Sequence, residues 1–259
     1  SRESLIRSLY DLQQCLPPQE ECAIYIGIDS DDEILLCMRD DGSIGTCFPS
    51  YDVRVEVFPP NEPPRICHIA NSLAMLAYED ETLEYFTLLG DDVAIRTSAG
   101  DKTRSWLRDV ESKFQEIDTC VRDISDKLPK HFGVVAIRDE TFPGFPTFPV
   151  VSRAHIDIFK HLFPPDFVNQ DGDPYLWEIY RPFGARRFAE NIVLNNRMGG
   201  DEVFASRYSR QHIDWKSTLL PEGIDIILKR YGLKADCLKT TIDVIVPSFR
   251  CQISVLEDI

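Results

Sequence analysis

Residues 22–33 read CAIYIGIDSDDE. A five-residue apolar run, Ile24 to Ile28, ends abruptly in acids at Asp29, Asp31 and Asp32. Runs of this length without alternation mark a strand buried on both faces, the kind found in parallel sheets. In open α/β sheets the carboxyl ends of the strands are also where ligands bind. The acids therefore stand where chemistry is expected, and the chain can be read outward from them.

Downstream, VRVEVFP at 53–59 alternates as a strand does, and prolines 59, 60, 63 and 64 close it. RICHIANSLAMLAYED then places Ile66, Ile69, Leu73 and Leu76 at helical spacing, and TLEYFTLLGDDVAI reads as one further strand. Upstream, SLIRSLYDLQQC groups Leu5, Ile6, Leu9 and Leu12 on one face of a helix over about 3–14. Farther on come an amphipathic helix over 105–125, a strand in HFGVVAIRD, and a Pro/Phe-rich loop, DETFPGFPTFPV. Two more helices follow in RAHIDIFKHLF and DPYLWEIYRPFG, the second closed by Gly184. Strands alternating with helices in this order predict an α/β fold with a parallel, doubly wound sheet.

The 259 residues carry a formal charge of −15, which argues against nonspecific nucleic-acid binding, since that needs a basic surface. No apolar run approaches the ~20 residues of a membrane helix, and no signal peptide is visible at the N-terminus. The eight cysteines include no C-x-x-C pair and no zinc-ligand spacing. Several lie in apolar runs, so free buried thiols and a reducing, cytoplasmic compartment are the expectation.

Three acid clusters punctuate the chain: Asp29-Ser30-Asp31-Asp32, Asp91-Asp92 and Asp171-Gly172-Asp173. Adjacent carboxylates repel unless a cation neutralises them, and a hard divalent ion does so while keeping positions open for phosphate oxygens. The competing reading makes them solvated turn residues or helix caps, with Asp171 and Asp173 the clearest capping candidates. Spacing alone leaves both readings open.

The ordered conjunction of these motifs resembles the GT-A glycosyltransferases, closest to the family-2 type. AIYIGIDSDDE resembles that family's second strand and acidic turn, where Asp29 matches the aspartate that contacts the nucleotide base. PPRICHIANSLAMLAYEDETLEYFTLLGDDV resembles the stretch from an Arg/Asn-bearing helix into the metal-binding acids. FPVVSRAHIDIFKHLFPPDFVNQDGDPYLWEIYRPFGA resembles the acceptor-side segment. The resemblance covers about residues 2–200. It implies a GT-A (Rossmann-like), mostly parallel sheet flanked by helices, with a small C-terminal helical extension.

The implied function is inverting transfer of a sugar from a nucleotide-sugar (UDP- or GDP-linked) to a hydroxyl of an acceptor glycan or other compound. The resemblance makes Asp171 the base, and places Asp29, Asp31, Asp32, Arg65, Asn71, Asp91 and Lys216 around the nucleotide-sugar. It gives a Mn²⁺ or Mg²⁺ ion to Asp92 and Asp91 with His212, and the acceptor to Phe145, Phe148 and Asp173. For His212 and Lys216 a solvated helix face is the rival reading, and for the Phe/Pro loop a cover over the sheet edge.

Two positions depart from the family pattern: Gly90 stands where an acid is usual, and Gln170 where a glutamate is. The family's opening strand is missing at the N-terminus. A similar one, Ile242–Val246 followed by Pro247, occurs near the other end. The expected organisation is a transferase-like domain over 1–204, a helical closing segment over 205–240, and a strand–helix segment over 241–259. That last segment either opens a tandem domain or completes the first sheet, with self-association through the strand a further route. Two rival functions stand beside sugar transfer: a non-catalytic, transferase-like binding module, and a nucleotidyltransferase. The second would want a Gly-rich basic loop, which the sequence lacks.

Overall fold

The computed structural model describes residues 22–59, 65–90, 93–97, 106–140, 142, 144–196 and 213–238, with Ile6, Leu9, Tyr10 and Gln13 near the start. The elements run β1 (Ala23–Asp29), α1 (Glu33–Asp40), α2 (Ser43–Cys47), β2 (Asp52–Phe58), α3 (Ile66–Tyr78), β3 (Tyr85–Thr87) and β4 (Val93–Thr97). They continue as α4 (Trp106–Arg122), β5 (Val134–Asp139), β6 (Val150–Ser152), α5 (Arg153–Phe159), α6 (Gly172–Tyr180), β7 (Arg186–Asn196) and α7 (Leu219–Tyr231). Among the described residues no helix is long and apolar enough to cross a membrane.

The fold is mixed α/β, as the alternation of motifs predicts, but the sheet is not mostly parallel. Strands β1 and β2 form a parallel pair of their own. The other five form one sheet in the order β3-β6-β5-β7-β4. There only β5 and β7 run parallel, and the β3–β6, β5–β6 and β4–β7 pairings are antiparallel.

Two features of the sequence hid this arrangement. The stretch expected to form one strand, TLEYFTLLGDDVAI, is split into β3 and β4, which lie on opposite edges of the sheet. The long strand β7, RRFAENIVLNN, mixes polar and apolar residues without a clean period. Ile137 faces Ala189 and Arg138 faces Val193, so residues 190–192 of β7 have no counterpart on β5. An insertion of this kind breaks the alternation by which strands are recognised.

The main core is built on β5, whose Val134, Val135, Ala136 and Ile137 are fully buried, with α4 and α6 in contact with the strand. Helix α4 contributes Trp106, Val110, Phe114, Ile117 and Val121 at the 3–4 residue spacing of one helical face. Helix α3 presents Ala70, Ala74 and Ala77, small residues that let it lie close to the sheet. Gly133, just before β5, has φ of +153° and approaches the Ala185 carbonyl so closely that a Cβ would sit 2.4 Å from that oxygen. Only glycine fits there.

A second, smaller core joins Leu9, Met38, Ile44, Cys47 and Phe48 under one face of β1 and β2. Ile6 packs against this cluster beside Leu9, and the rest of the helix expected over about 3–14 lies largely outside the described residues. The helix expected over RAHIDIFKHLF stops at Phe159, because Lys160 takes the left-handed conformation and caps it. Gly184 takes the same conformation behind α6 and a short 3₁₀ turn, as expected. Helix α7, which falls within the 205–240 stretch, packs on α5 and α6. Residues 241–259 lie outside the described part.

Candidate functional site

Helix α6 begins at the Asp171-Gly172-Asp173 cluster. Asp171 occupies the N-cap position with φ of 70° and ψ of −5°, and its side chain makes no capping hydrogen bond. The capping role offered by the sequence is therefore not what holds Asp171 there. A left-handed aspartate is tolerated at some steric cost, and its half-buried carboxylate is left uncommitted to the helix end.

Asp173, one turn position further, is only partly buried as a residue, yet the protein around its carboxyl pushes its pKa up to about 7. The cause is burial, opposed by the backbone N–H of Phe148, which donates to the carboxylate. Phe148 itself has φ of 48°. The structure thus brings together two of the residues assigned to the acceptor, Phe148 and Asp173, and sets Asp171 beside them.

The Phe/Pro loop is pinned at a second point. Thr147 Oγ1 donates to Asp139 Oδ2 at 3.0 Å, and Asp139 is the fully buried last residue of β5. The loop therefore spans from the carboxyl end of a central strand to the start of α6. Phe142 and Phe145 stand exposed on its outer side, at 42% and 44% of full exposure. That leaves flat apolar faces in water beside buried carboxylates, an arrangement suited to a sugar or base.

The third wall is the start of α3. Its Cys67 N–H donates to the Val168 carbonyl at 2.9 Å, and its Ile66 N–H donates to Asn169 Oδ1 at 3.3 Å. Burial pushes the Cys67 thiol up to about 12, and the Asp173 and Asp171 carboxylates push in the same direction. Both acids are thus close enough to this thiol to be felt. Arg65, at the N-cap position of α3, is exposed at the same corner.

Asn71 has a different employment. Its Nδ2 donates to the Phe163 carbonyl at 2.8 Å, and its Oδ1 accepts from the Leu162 and Phe163 N–H groups at 3.0 and 2.8 Å. The amide clamps the loop between α5 and α6 to α3. Asp32 caps α1 through Oδ1, which accepts from the Leu35 N–H at 2.9 Å. Asp31 is exposed and Asp29 half-buried at the end of β1. Lys216 is exposed with its Nζ 5.5 Å from the Trp215 ring, which is buried edge-on to Phe167 and Tyr175.

Asp91, Asp92 and His212 lie outside the described residues. Among the described residues no group of three or more His, Cys, Asp or Glu side chains could hold a metal ion. Two other histidines, His155 and His68, have structural partners. His155 is buried, with Nδ1 2.8 Å from the Tyr180 hydroxyl and Nε2 3.0 Å from the Leu162 carbonyl. Burial lowers its pKa to about 3, so it is neutral. His68 Nε2 lies 3.0 Å from the Pro165 carbonyl.

Sequence reasoning missed Asp139 and Cys67. Asp139 had a usable signal, because VVAIRD is an apolar run ending in an acid, the same signature as AIYIGID. Cys67 had none, since its closeness to α6 is made by the loop over 163–171. No family model, no curated protein and no solved structure matches this chain.

Proposed function

We propose that the chain transfers a sugar from a nucleotide-sugar to an acceptor hydroxyl, with Asp171 as the base. The observation that supports this reading most directly is the corner where α6 begins. There an uncapped left-handed Asp171, a buried Asp173 titrating near neutrality and the aromatic loop meet at the carboxyl end of β5. A strongly perturbed carboxyl in a corner beside the carboxyl end of a strand supports a working site. The family resemblance supplies the reaction class, and the GT-A topology belongs to this same proposal.

In this mechanism Asp171 takes the proton of the acceptor hydroxyl as that oxygen attacks the anomeric carbon, and the bond from that carbon to the donor's phosphate oxygen breaks, so the nucleoside diphosphate leaves with the electron pair. The hydroxyl acidifies as the new bond forms, so a carboxylate suffices as base. Phe145 and Phe148 offer ring faces to the acceptor, while Asp173, fixed by the Phe148 N–H, orients it. Around neutral pH Asp173 is divided between its acid and its carboxylate, so it can both donate and accept a hydrogen bond.

Asp29, Asp31, Arg65 and Lys216 are assigned to the nucleotide side, with Asp32 and Asn71 there as shaping residues. The resemblance assigns the metal to Asp91, Asp92 and His212, which would supply two carboxylates and an imidazole, a chemistry that suits Mn²⁺ or Mg²⁺. A metal bound there would neutralise the diphosphate.

The test uses the full chain, a panel of UDP- and GDP-sugars, and Mn²⁺. A matching donor raises the melting temperature, since it binds the native state alone. Asp171→Asn is expected to keep that rise and lose transfer by at least a hundredfold. Transfer at the wild-type rate in Asp171→Asn removes the base assignment. Binding without any transfer or donor hydrolysis in the wild type would make the chain a binding module instead.

A further inference from the structure

We propose that the cleft at the end of α4 binds a small zwitterion of the α-amino-acid class with an apolar side chain. The site is separate from the candidate corner, and the inference is independent of sugar transfer. Lys130 at its rim stands just before β5, so the cleft opens at the end of that strand opposite Asp139.

The chemistry of the cleft begins with a buried acid. Asp118 on α4 lines it and is 8% exposed. Its Oδ1 accepts from the His131 backbone N–H at 2.6 Å. The His131 carbonyl accepts in turn from Ser152 Oγ at 2.7 Å, so the carboxylate is held through His131 to β6. Asp118 Oδ2 has no such partner among the described residues. His131 Nε2 stands 3.7 Å from it, beyond hydrogen-bond reach, and is itself buried without a hydrogen bond. The other side of the ring is engaged, with Nδ1 3.2 Å from Glu84 Oε1 and 3.1 Å from Tyr85 Oη.

Protein groups therefore satisfy one oxygen of a buried carboxylate and leave the other to the cleft. Buried acceptors normally have a partner. For a carboxylate that partner is a donor, and a cationic donor makes the stronger bond. The last turn of α4, which ends at Arg122, adds the negative pole of the helix on the same side. An ammonium group answers both features.

The mouth calls for the opposite charge. Arg122 and Lys130 line it and are exposed, and neither is paired with Asp118 or Asp126 among the described residues. Ser125 Oγ accepts from the Lys127 N–H at 3.1 Å, which leaves its hydroxyl proton to donate. Two cations and a hydroxyl at one opening depart from the acidic balance of a chain with formal charge −15, and they suit a carboxylate. With Asp126 also at the rim, two acids face two bases, so a net-neutral ligand leaves no charge unmatched. Between base and mouth the wall is apolar, with Val121 and Leu128 buried and Pro129 half-buried. The volume of about 180 Å³ falls below the roughly 300–1,000 Å³ of pockets for drug-sized ligands, so the occupant is a small molecule.

Isothermal titration calorimetry on the full chain tests this with three probes that share an isobutyl group. L-Leucine carries both charges, isoamylamine only the ammonium, and isocaproate only the carboxylate. Leucine is expected to bind at least tenfold more tightly than either. Asp118→Asn keeps an acceptor for the His131 N–H but removes the charge, and it is expected to weaken leucine binding at least tenfold. Arg122→Gln combined with Lys130→Gln changes exposed side chains alone and is expected to bring leucine down to the level of the amine. That double variant decides the matter if Asp118→Asn fails to fold. Amide NMR shifts on adding leucine are expected over 118–131 and not over 142–148 or 171–173. Leucine binding that does not saturate at about 10 mM overturns the proposal. So does unchanged leucine affinity in the double variant, amine or acid binding equal to leucine, or shifts confined to the candidate corner.

Discussion

Asp173 shows how a single residue links stability to function. Its carboxyl is raised from 3.8 to about 7 by burial. The folded state therefore holds a proton over a range where the unfolded chain has released it, so stability falls as pH rises from about 4 to 7 and is level above. A displacement of that size corresponds to at most about 4 kcal/mol. Asp173→Asn, which keeps an oxygen for the Phe148 N–H, should therefore stabilise the protein by about 1–3 kcal/mol at pH 8 and by little at pH 4. Urea titrations at the two pH values measure this difference. Asp171 makes a second residue-scale case. At φ of 70° a glycine is unstrained, so Asp171→Gly should leave stability equal or raise it by about 0.5–1 kcal/mol. Loss of transfer with undiminished stability would show a residue kept against its own conformational preference for chemistry.

Among the elements, the contact between α3 and the loop over 162–171 shapes the candidate corner. Asn71 satisfies three backbone groups there at 2.8–3.0 Å. Asn71→Ala strands those groups, and the expected loss is about 2–4 kcal/mol, read from the denaturation midpoint. Asn71→Asp keeps the acceptor and loses the donor to Phe163, so it should fall between. Helices α6 and α7 meet at Gly223, where a Cβ would lie 2.4 Å from Tyr175 Oη and 2.6 Å from Ile179 Cδ1. Gly223→Ala must push the two helices apart or turn both side chains, at a cost of about 1–3 kcal/mol. Neither contact shows in the sequence, where Asn71 reads as a polar residue on a helix and Gly223 as a weak spot in one. What the sequence did show was the existence and type of β1, β2, α3, α4, β5 and α6, whose apolar periods are strong.

At the scale of the molecule the two cores differ in strength. Among the described residues the small one has five buried side chains beneath a two-stranded parallel pair, and such a pair is marginal alone. The main one wraps a five-stranded sheet with helices. Cys47 lies in the first and Cys67 in the second, both buried, while Cys37 is exposed. Pulsed thiol labelling across a urea series should modify Cys37 at once, Cys47 at lower urea, and Cys67 only with the main transition. Simultaneous labelling of Cys47 and Cys67 would mean that the two cores unfold as one unit.

The sequence by itself determined that this is an α/β protein, where most of its strands and helices run, and that acids stand at strand ends. Those properties depend on local periods of 2.0 and 3.6 residues and on caps and turns, which neighbouring residues specify. Only the tertiary structure decided which strands pair and in which direction, because pairing depends on residues far apart in the chain. It split 83–95 between opposite sheet edges and placed β7 beside β5 despite its broken pattern. It also turned Asn71 and Asp32 to backbone hydrogen bonds, and it set Asp173, Phe148, Asp139 and Cys67 around one corner. The carboxyl types were written in the chain, but their burial was not, and burial is what moves Asp173 to neutrality.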